Sequence, residues 1–219
     1  SLAGTFSAEK PAATDVLRAI ISASDKTAVR SALLYGLIGQ ETGYGSYLGK
    51  TEAGWSSFCS SRNTYDCFNW RTYDCKADYL NARYFSEILA ELGYEIKDAP
   101  VSSTCAMGYT QFEPNTLWQL VKGKGLDILN PWDINDALLA SAYYLKDLGA
   151  DGKEILKPGE VIGQKDKIAL QKYYCGANYF RRECVTYAES VEAKARRAPV
   201  VLLANDLETQ LRLLEEEEN

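Results

Sequence analysis

The strongest constraint on this chain lies in residues 31–50, SALLYGLIGQETGYGSYLGK. Val29, Ala32, Leu33, Gly36 and Leu37 recur at the spacing of one helical face. Glu41 follows Leu37 by four positions and Leu33 by eight, so it continues that face and is expected to be largely buried. Desolvation and the negative end of the helix dipole then both raise its pKa above the ordinary glutamate value. Gly43 and Gly45 bracket Tyr44 and suit a left-handed cap that stops the helix at once. A proton-holding carboxyl at a helix end beside a glycine-rich turn suits general acid catalysis. The competing reading of the same stretch is a helix-end glutamate turned to solvent.

Composition narrows the chemistry. The 219 residues are enough for one sizeable core, with or without appendages. There is no histidine, which removes serine–histidine and cysteine–histidine catalysis and argues against zinc. Acid–base work at neutral pH therefore falls to carboxylates, with Tyr and Lys as lesser candidates. The net charge of −6, without a basic cluster, argues against a nucleic-acid partner. Six cysteines (Cys59, Cys67, Cys75, Cys105, Cys175 and Cys184) suggest disulfides and an oxidising compartment, against the alternative of scattered core thiols in a reduced one. Cys175 and Cys184 flank a short loop with Gly176 and Asn178 and are the expected pair, while Cys105 is expected to join Cys59, Cys67 or Cys75. The apolar run at 200–204 is far too short to span a bilayer, and no signal peptide opens the chain, which reads as a mature or trimmed fragment.

Along the chain, residues 1–13 read as a loose lead-in. Residues 15–22 form a first helix, and Asp25 is placed to cap the second. Residues 55–76 hold three cysteines and no clean period, an irregular disulfide-held excursion. Helical spacing returns at Leu80, Tyr84, Ile88 and Leu92, with Gly93 as the stop. Pro114 opens a helix through Trp118 and Val121, and 122–130 is a glycine-containing loop. Asp133 caps the next helix, with Asp136 completing a capping box and a stripe of Ile134, Ala137, Leu138, Ser141, Ala142 and Leu145. Helices follow at 168–174 and 184–197, broken by 175–180. Leu203, Leu207, Leu211 and Leu214 mark a last amphipathic helix over 199–219 that frays into a solvated acidic tail and offers a possible surface for a protein partner. Strand signals are few, so the expected fold class is mainly α.

Three blocks stand in order: ETGYGSYLGK from Glu41, CAMGYTQFEPNT from Cys105 and ALQKYYCGANY from Ala169. Together with YFSEIL from Tyr84 and NPWDINDA from Asn130, they resemble the lytic murein transglycosylases, most closely the membrane-bound B type. The resemblance covers residues 33–195 and implies a helical, lysozyme-like catalytic domain over 14–198 with a long cleft for glycan strands. It implies cleavage of the β-1,4 bond between N-acetylmuramic acid and N-acetylglucosamine in peptidoglycan, hence an extracytoplasmic location in the cell envelope. Glu41 matches the sole catalytic acid. Gln111 matches a cleft glutamine, Met107 and Tyr109 the walls beside it, and Ser102 or Ser103 a serine close to the acid. Tyr173 matches a cleft tyrosine, and Tyr179 is a candidate second aromatic wall.

The chain departs from that pattern in places. Tyr174 stands where many relatives have Asn, and the cysteine-bearing excursion reads as a local addition. Where B-type relatives often carry a calcium loop, residues 122–130 hold two lysines and too few carboxylates, so no cofactor or metal is expected. Two other functions compete. One is a hydrolytic muramidase of the goose-lysozyme kind, with Glu52, Asp66, Asp74 or Glu113 as a second carboxylate. The other is a non-catalytic peptidoglycan-binding or scaffold module.

Overall fold

The computed structural model describes residues 10–51, 79–204 and 206–218. Their regular structure is helical, as the sequence predicts: α1 (Ala13–Thr27), α2 (Ser31–Thr42), α3 (Tyr79–Leu92), α4 (Pro114–Lys124), α5 (Ile134–Asp147), α6 (Gln164–Cys175), α7 (Arg182–Ala195), α8 (Val200–Leu203) and α9 (Leu207–Glu218). Among the described residues, extended pairing is limited to isolated antiparallel bridges that link Lys50 to Val101, Val101 to Met107 and Met107 to Phe112. The excursion expected at 55–76 lies outside the described residues.

Helix α2 is the centre of the core. Leu33, Leu34, Leu37 and Ile38 are all fully buried, so the helix is apolar nearly all round and not on one face only. α1 packs on α5, and α7 packs on both α2 and α6. Gly36 makes the α2–α7 crossing close: a Cβ there would sit 2.5 Å from the Val191 carbonyl oxygen and 3.0 Å from the Ala195 nitrogen. α6 and α7 are joined by the Cys175–Cys184 disulfide, the expected pair. Cys105 is also disulfide-bonded, and the expectation that it joins Cys59, Cys67 or Cys75 falls outside the described residues.

Several local expectations are corrected. Asp25 does not cap α2; α1 runs on through it to Thr27. The chain turns at Ala28 (φ 57°), and Arg30 holds the N-cap position without a side-chain bond. In α3 the buried face is Ala82, Phe85, Ile88 and Leu89, while Leu80 is exposed. Asp133 caps α5 by accepting from the Asn135 and Asp136 N–H groups (2.9 and 3.1 Å), but the capping box does not close. Asp136 instead accepts from the Asn130 N–H at 2.9 Å, which ties down the preceding turn. The last amphipathic stretch is two helices. Val201, Leu202, Gln210 and Leu214 face inward, and Leu203, Leu207 and Leu211 are exposed. Helix α9 continues to Glu218, beyond the point where fraying was expected.

Gly36→Ala tests the crossing. Alanine gains about 1 kcal/mol of helix propensity, but its methyl meets α7 backbone, which cannot step aside as a side chain can. Overpacking of about 1–3 kcal/mol outweighs the gain. A melting temperature lower by roughly 2–8 °C is expected by calorimetry, and an unchanged or higher value would show that the helices part at no cost.

Candidate active site

Glu41 is the penultimate residue of α2. Gly43 (φ 56°), Tyr44 (φ 59°) and Gly45 (φ 81°) then turn through left-handed backbone. The N–H groups of Gly43 and Tyr44 both reach the Ile38 carbonyl. Gly45 leaves room for Tyr109, whose ring would lie 2.8 Å from a Cβ at that position. This abrupt stop leaves the Glu41 side chain at the edge of a cleft of about 570 Å³.

The carboxyl is half-buried, and burial raises its pKa from 4.5 to about 7. One interaction opposes that rise: the Tyr187 hydroxyl, on α7, donates a short hydrogen bond to Glu41 Oε1. A hydroxyl donor stabilises the carboxylate, yet desolvation is the larger effect. Near neutral pH the acid and its conjugate base are therefore both populated.

The facing wall is a tight turn. Val101 and Lys50 exchange N–H···O bonds at 2.9 and 3.0 Å, and Met107 and Phe112 do so at 2.8 and 3.1 Å. Between them Cys105 (φ 69°), Gly108 (φ 67°) and Gln111 (φ 53°) take left-handed backbone. A side chain at Gly108 would run into the Pro131 carbonyl. The Ser102 hydroxyl accepts from the N–H groups of Thr104 and Ala106 (3.2 and 3.0 Å). Thr42, beside the acid, donates 2.8 Å to the Tyr109 carbonyl and so ties the turn to the end of α2. The Tyr173 hydroxyl donates 2.8 Å to the Thr110 carbonyl and fixes the turn from α6.

Glu41, Ser102, Ser103, Gln111 and Tyr173 therefore meet around one cleft. Gln111 folds back so that its Nε2 donates 2.9 Å to the Gly108 carbonyl, which holds the carboxamide in one orientation. Met107 and Tyr109 are not among the cleft-lining residues. Met107 is completely buried and Tyr109 is buried, so both act as core beneath the turn, with backbone carrying the ladder. Tyr179 also lies off the cleft, with the Lys172 ammonium 5.3 Å from its ring centre.

Sequence reasoning missed Tyr187. It stands in a stripe with Cys184, Ala188, Val191 and Ala195, all buried, and reads as core. The available signal was its hydroxyl, since a buried tyrosine O–H usually finds a partner. Thr104, Glu113, Thr116, Tyr144, Lys172 and Tyr174 complete much of the lining. Among the described residues no three His, Cys, Asp or Glu side chains gather to hold a metal. In the 122–130 stretch Asp127 is the only carboxylate, and Lys122 and Lys124 pair outward with Glu91 (3.4 Å) and Asp147 (2.8 Å). That donor set does not fit calcium.

Tyr187→Phe removes the one group among the described residues that lowers the Glu41 pKa. The pKa then moves up, and the alkaline limb of a rate profile governed by the acid form shifts higher by about one pH unit. A plot of kcat/KM against pH checks this. A limb that stays put would mean the hydrogen bond carries no weight in the titration.

The fold has known counterparts. Escherichia coli lytic transglycosylase Slt35 in complex with bulgecin A aligns with a TM-score of 0.56 at 18% identity, over 85% of this chain and 74% of that one. Slt35 in complex with calcium gives 0.53 at 18% identity, over 86% and 77%. Soluble lytic transglycosylase SltB1 from Pseudomonas aeruginosa gives 0.54 at 15% identity, over 86% and 80%. No curated protein matches the chain by sequence. A protein family described as the transglycosylase SLT domain matches residues 12–210, almost the whole of the helical body that carries Glu41, Gln111 and Tyr187. By that match the chain belongs to the transglycosylase SLT domain family.

Proposed function

We propose that this transglycosylase cleaves the β-1,4 bond between N-acetylmuramic acid and N-acetylglucosamine in peptidoglycan, with Glu41 as its only acid and base. The carrying observation is a half-buried carboxyl at the edge of a cleft that, among the described residues, accepts from one side-chain hydroxyl, with burial pushing its pKa up to about 7. Protonated Glu41 gives its proton to the glycosidic oxygen as the C1–O bond breaks. The resulting carboxylate, stabilised by Tyr187, then accepts the proton of the muramic acid's own C6 hydroxyl. That oxygen bonds to C1 and closes a 1,6-anhydro ring. Atoms and charge balance without water or a second carboxylate. Ser102, Ser103 and Gln111 line the space opposite and offer polar groups for the sugar's N-acetyl arm. Action on peptidoglycan implies a location outside the cytoplasm, a reading that the Cys175–Cys184 disulfide supports. Among the described residues no helix is long and apolar enough to cross a membrane.

Glu41→Gln is expected to abolish turnover and keep the fold, because the amide cannot cycle a proton. It should also stabilise the protein in a pH-dependent way. The folded carboxyl binds its proton up to about pH 7, whereas the ordinary value is 4.5. Wild-type stability therefore falls as pH climbs between those values, and the amide escapes that loss. The melting-temperature advantage of the variant grows across that window and then levels off. Mass spectrometry of digested peptidoglycan checks the chemistry. Ends one water lighter than muramidase products support the scheme. Reducing ends would move the protein to hydrolysis, with Glu113 the other described carboxylate on the cleft wall.

A further inference from the structure

Tyr174 is an exposed aromatic residue inside a concave site. It is 57% exposed, it lines the cleft with Glu41, and its ring lies flat on Tyr187 with centroids 4.4 Å apart and planes 5° from parallel. Tyr187 in turn is only 7% exposed and donates to Glu41. The stacked pair is held by a disulfide between neighbouring residues. Cys175 follows Tyr174 directly, and Cys184 precedes Tyr187 by one helical turn, so the disulfide joins the two helices beside the rings. A ring so fixed loses little side-chain entropy when a ligand covers it.

Resting on the transglycosylase reading above, we infer that Tyr174 is a substrate-binding platform, on which the apolar face of an N-acetylhexosamine ring of the glycan strand stacks next to Glu41. One face of the ring is committed to Tyr187, and the residue lines the cleft with more than half of its surface exposed. A pyranose has C–H groups on one face that suit a π surface, and its hydroxyls remain free for polar neighbours. Gln111, Ser103 and Lys172 line the same cleft and supply such neighbours. The Lys172 ammonium also lies over the Tyr179 ring, which holds it at this rim. The arrangement places sugar binding and the acid's hydrogen-bond donor on the two members of one aromatic stack.

The test uses the full chain with Glu41→Gln, so that strands bind without being cut, and uncrosslinked peptidoglycan glycan strands as the probe. Binding is read by calorimetry or tyrosine fluorescence. Tyr174→Phe keeps the platform and is expected to bind within about twofold of the parent, whereas Tyr174→Ala is expected to weaken binding about tenfold or more. In the catalytically intact background, Tyr174→Ala should raise KM more than it lowers kcat. Equal binding by the tyrosine and alanine proteins would overturn the platform, as would no binding by either. A displaced pH limb with unchanged binding would overturn it too, because Tyr174 would then only cover Tyr187. Failure of the wild-type protein to release anhydro-ended strands would instead strike the catalytic reading, a result separable from the binding data.

Discussion

The site depends on a contest at one carboxyl. Burial disfavours the charge on Glu41, and a hydrogen bond donated by Tyr187 favours it. Burial alone would raise the pKa further and leave less of the carboxylate near neutrality. Several charge-assisted donors would instead have made it a permanent carboxylate. One neutral hydroxyl leaves it close to neutrality, where it can both give and take. The wider fold keeps those two side chains together. Gly36 lets α7 approach α2 closely, and the disulfide holds the start of α7 against the end of α6.

The opposite wall is built from backbone more than from side chains. Residues 101–112 form bridges too short to stand as a sheet, and three left-handed residues bend them. Such a segment is not stable by itself. It is pinned at Tyr109 by Thr42 and at Thr110 by Tyr173. The first pin comes from the residue after Glu41, and the second from the residue before Tyr174. The acid, the stacked aromatic and the turn carrying Gln111 are therefore positioned by adjacent residues, and a shift in one element is transmitted to the others.

Legibility in the sequence followed the sharpness of the physical signal. The placement of Glu41 could be read from the apolar face it extends and the glycines that follow, with a solvent-turned glutamate as the competing reading; the structure sets it half-buried at the edge of the cleft. The α5 stripe was equally plain, since every residue expected in it is buried. Short amphipathic segments were less legible. In α3 and α9 the apolar spacing marks a face of which Ile88 and Leu214 are buried, but much of the inward surface lies one residue away, at Phe85, Leu89 and Gln210. Met107 and Tyr109 sit in a motif whose neighbours line a cleft, and no sequence period separates a cleft wall from the core beneath it. Tyr187 was hidden because a tyrosine in a core stripe looks like filling. Its function appears only when α2, 146 positions away, is brought alongside.

A second buried carboxyl shows why a raised pKa does not by itself mark the site. Asp166 has a fully buried side chain, and burial raises its pKa as it does for Glu41. Its surroundings differ in kind. Arg30 pairs with it at 3.0 Å, and the N–H groups of Gly163 and Asp151 donate at 3.0 and 3.1 Å. All these partners are fixed, and none of them lines the cleft. Arg30 also donates to the carbonyls of Asp151 and Glu154, so the pair closes the loop between α5 and α6 onto the start of α2. Removing either partner would strand a buried charge, which is a structural role. Among the described residues Glu41 has one side-chain donor, which bears no charge, and it lines a cleft of about 570 Å³. The difference between the two carboxyls lies in what remains unfilled around each, and the open side of Glu41 is where we propose the chemistry takes place.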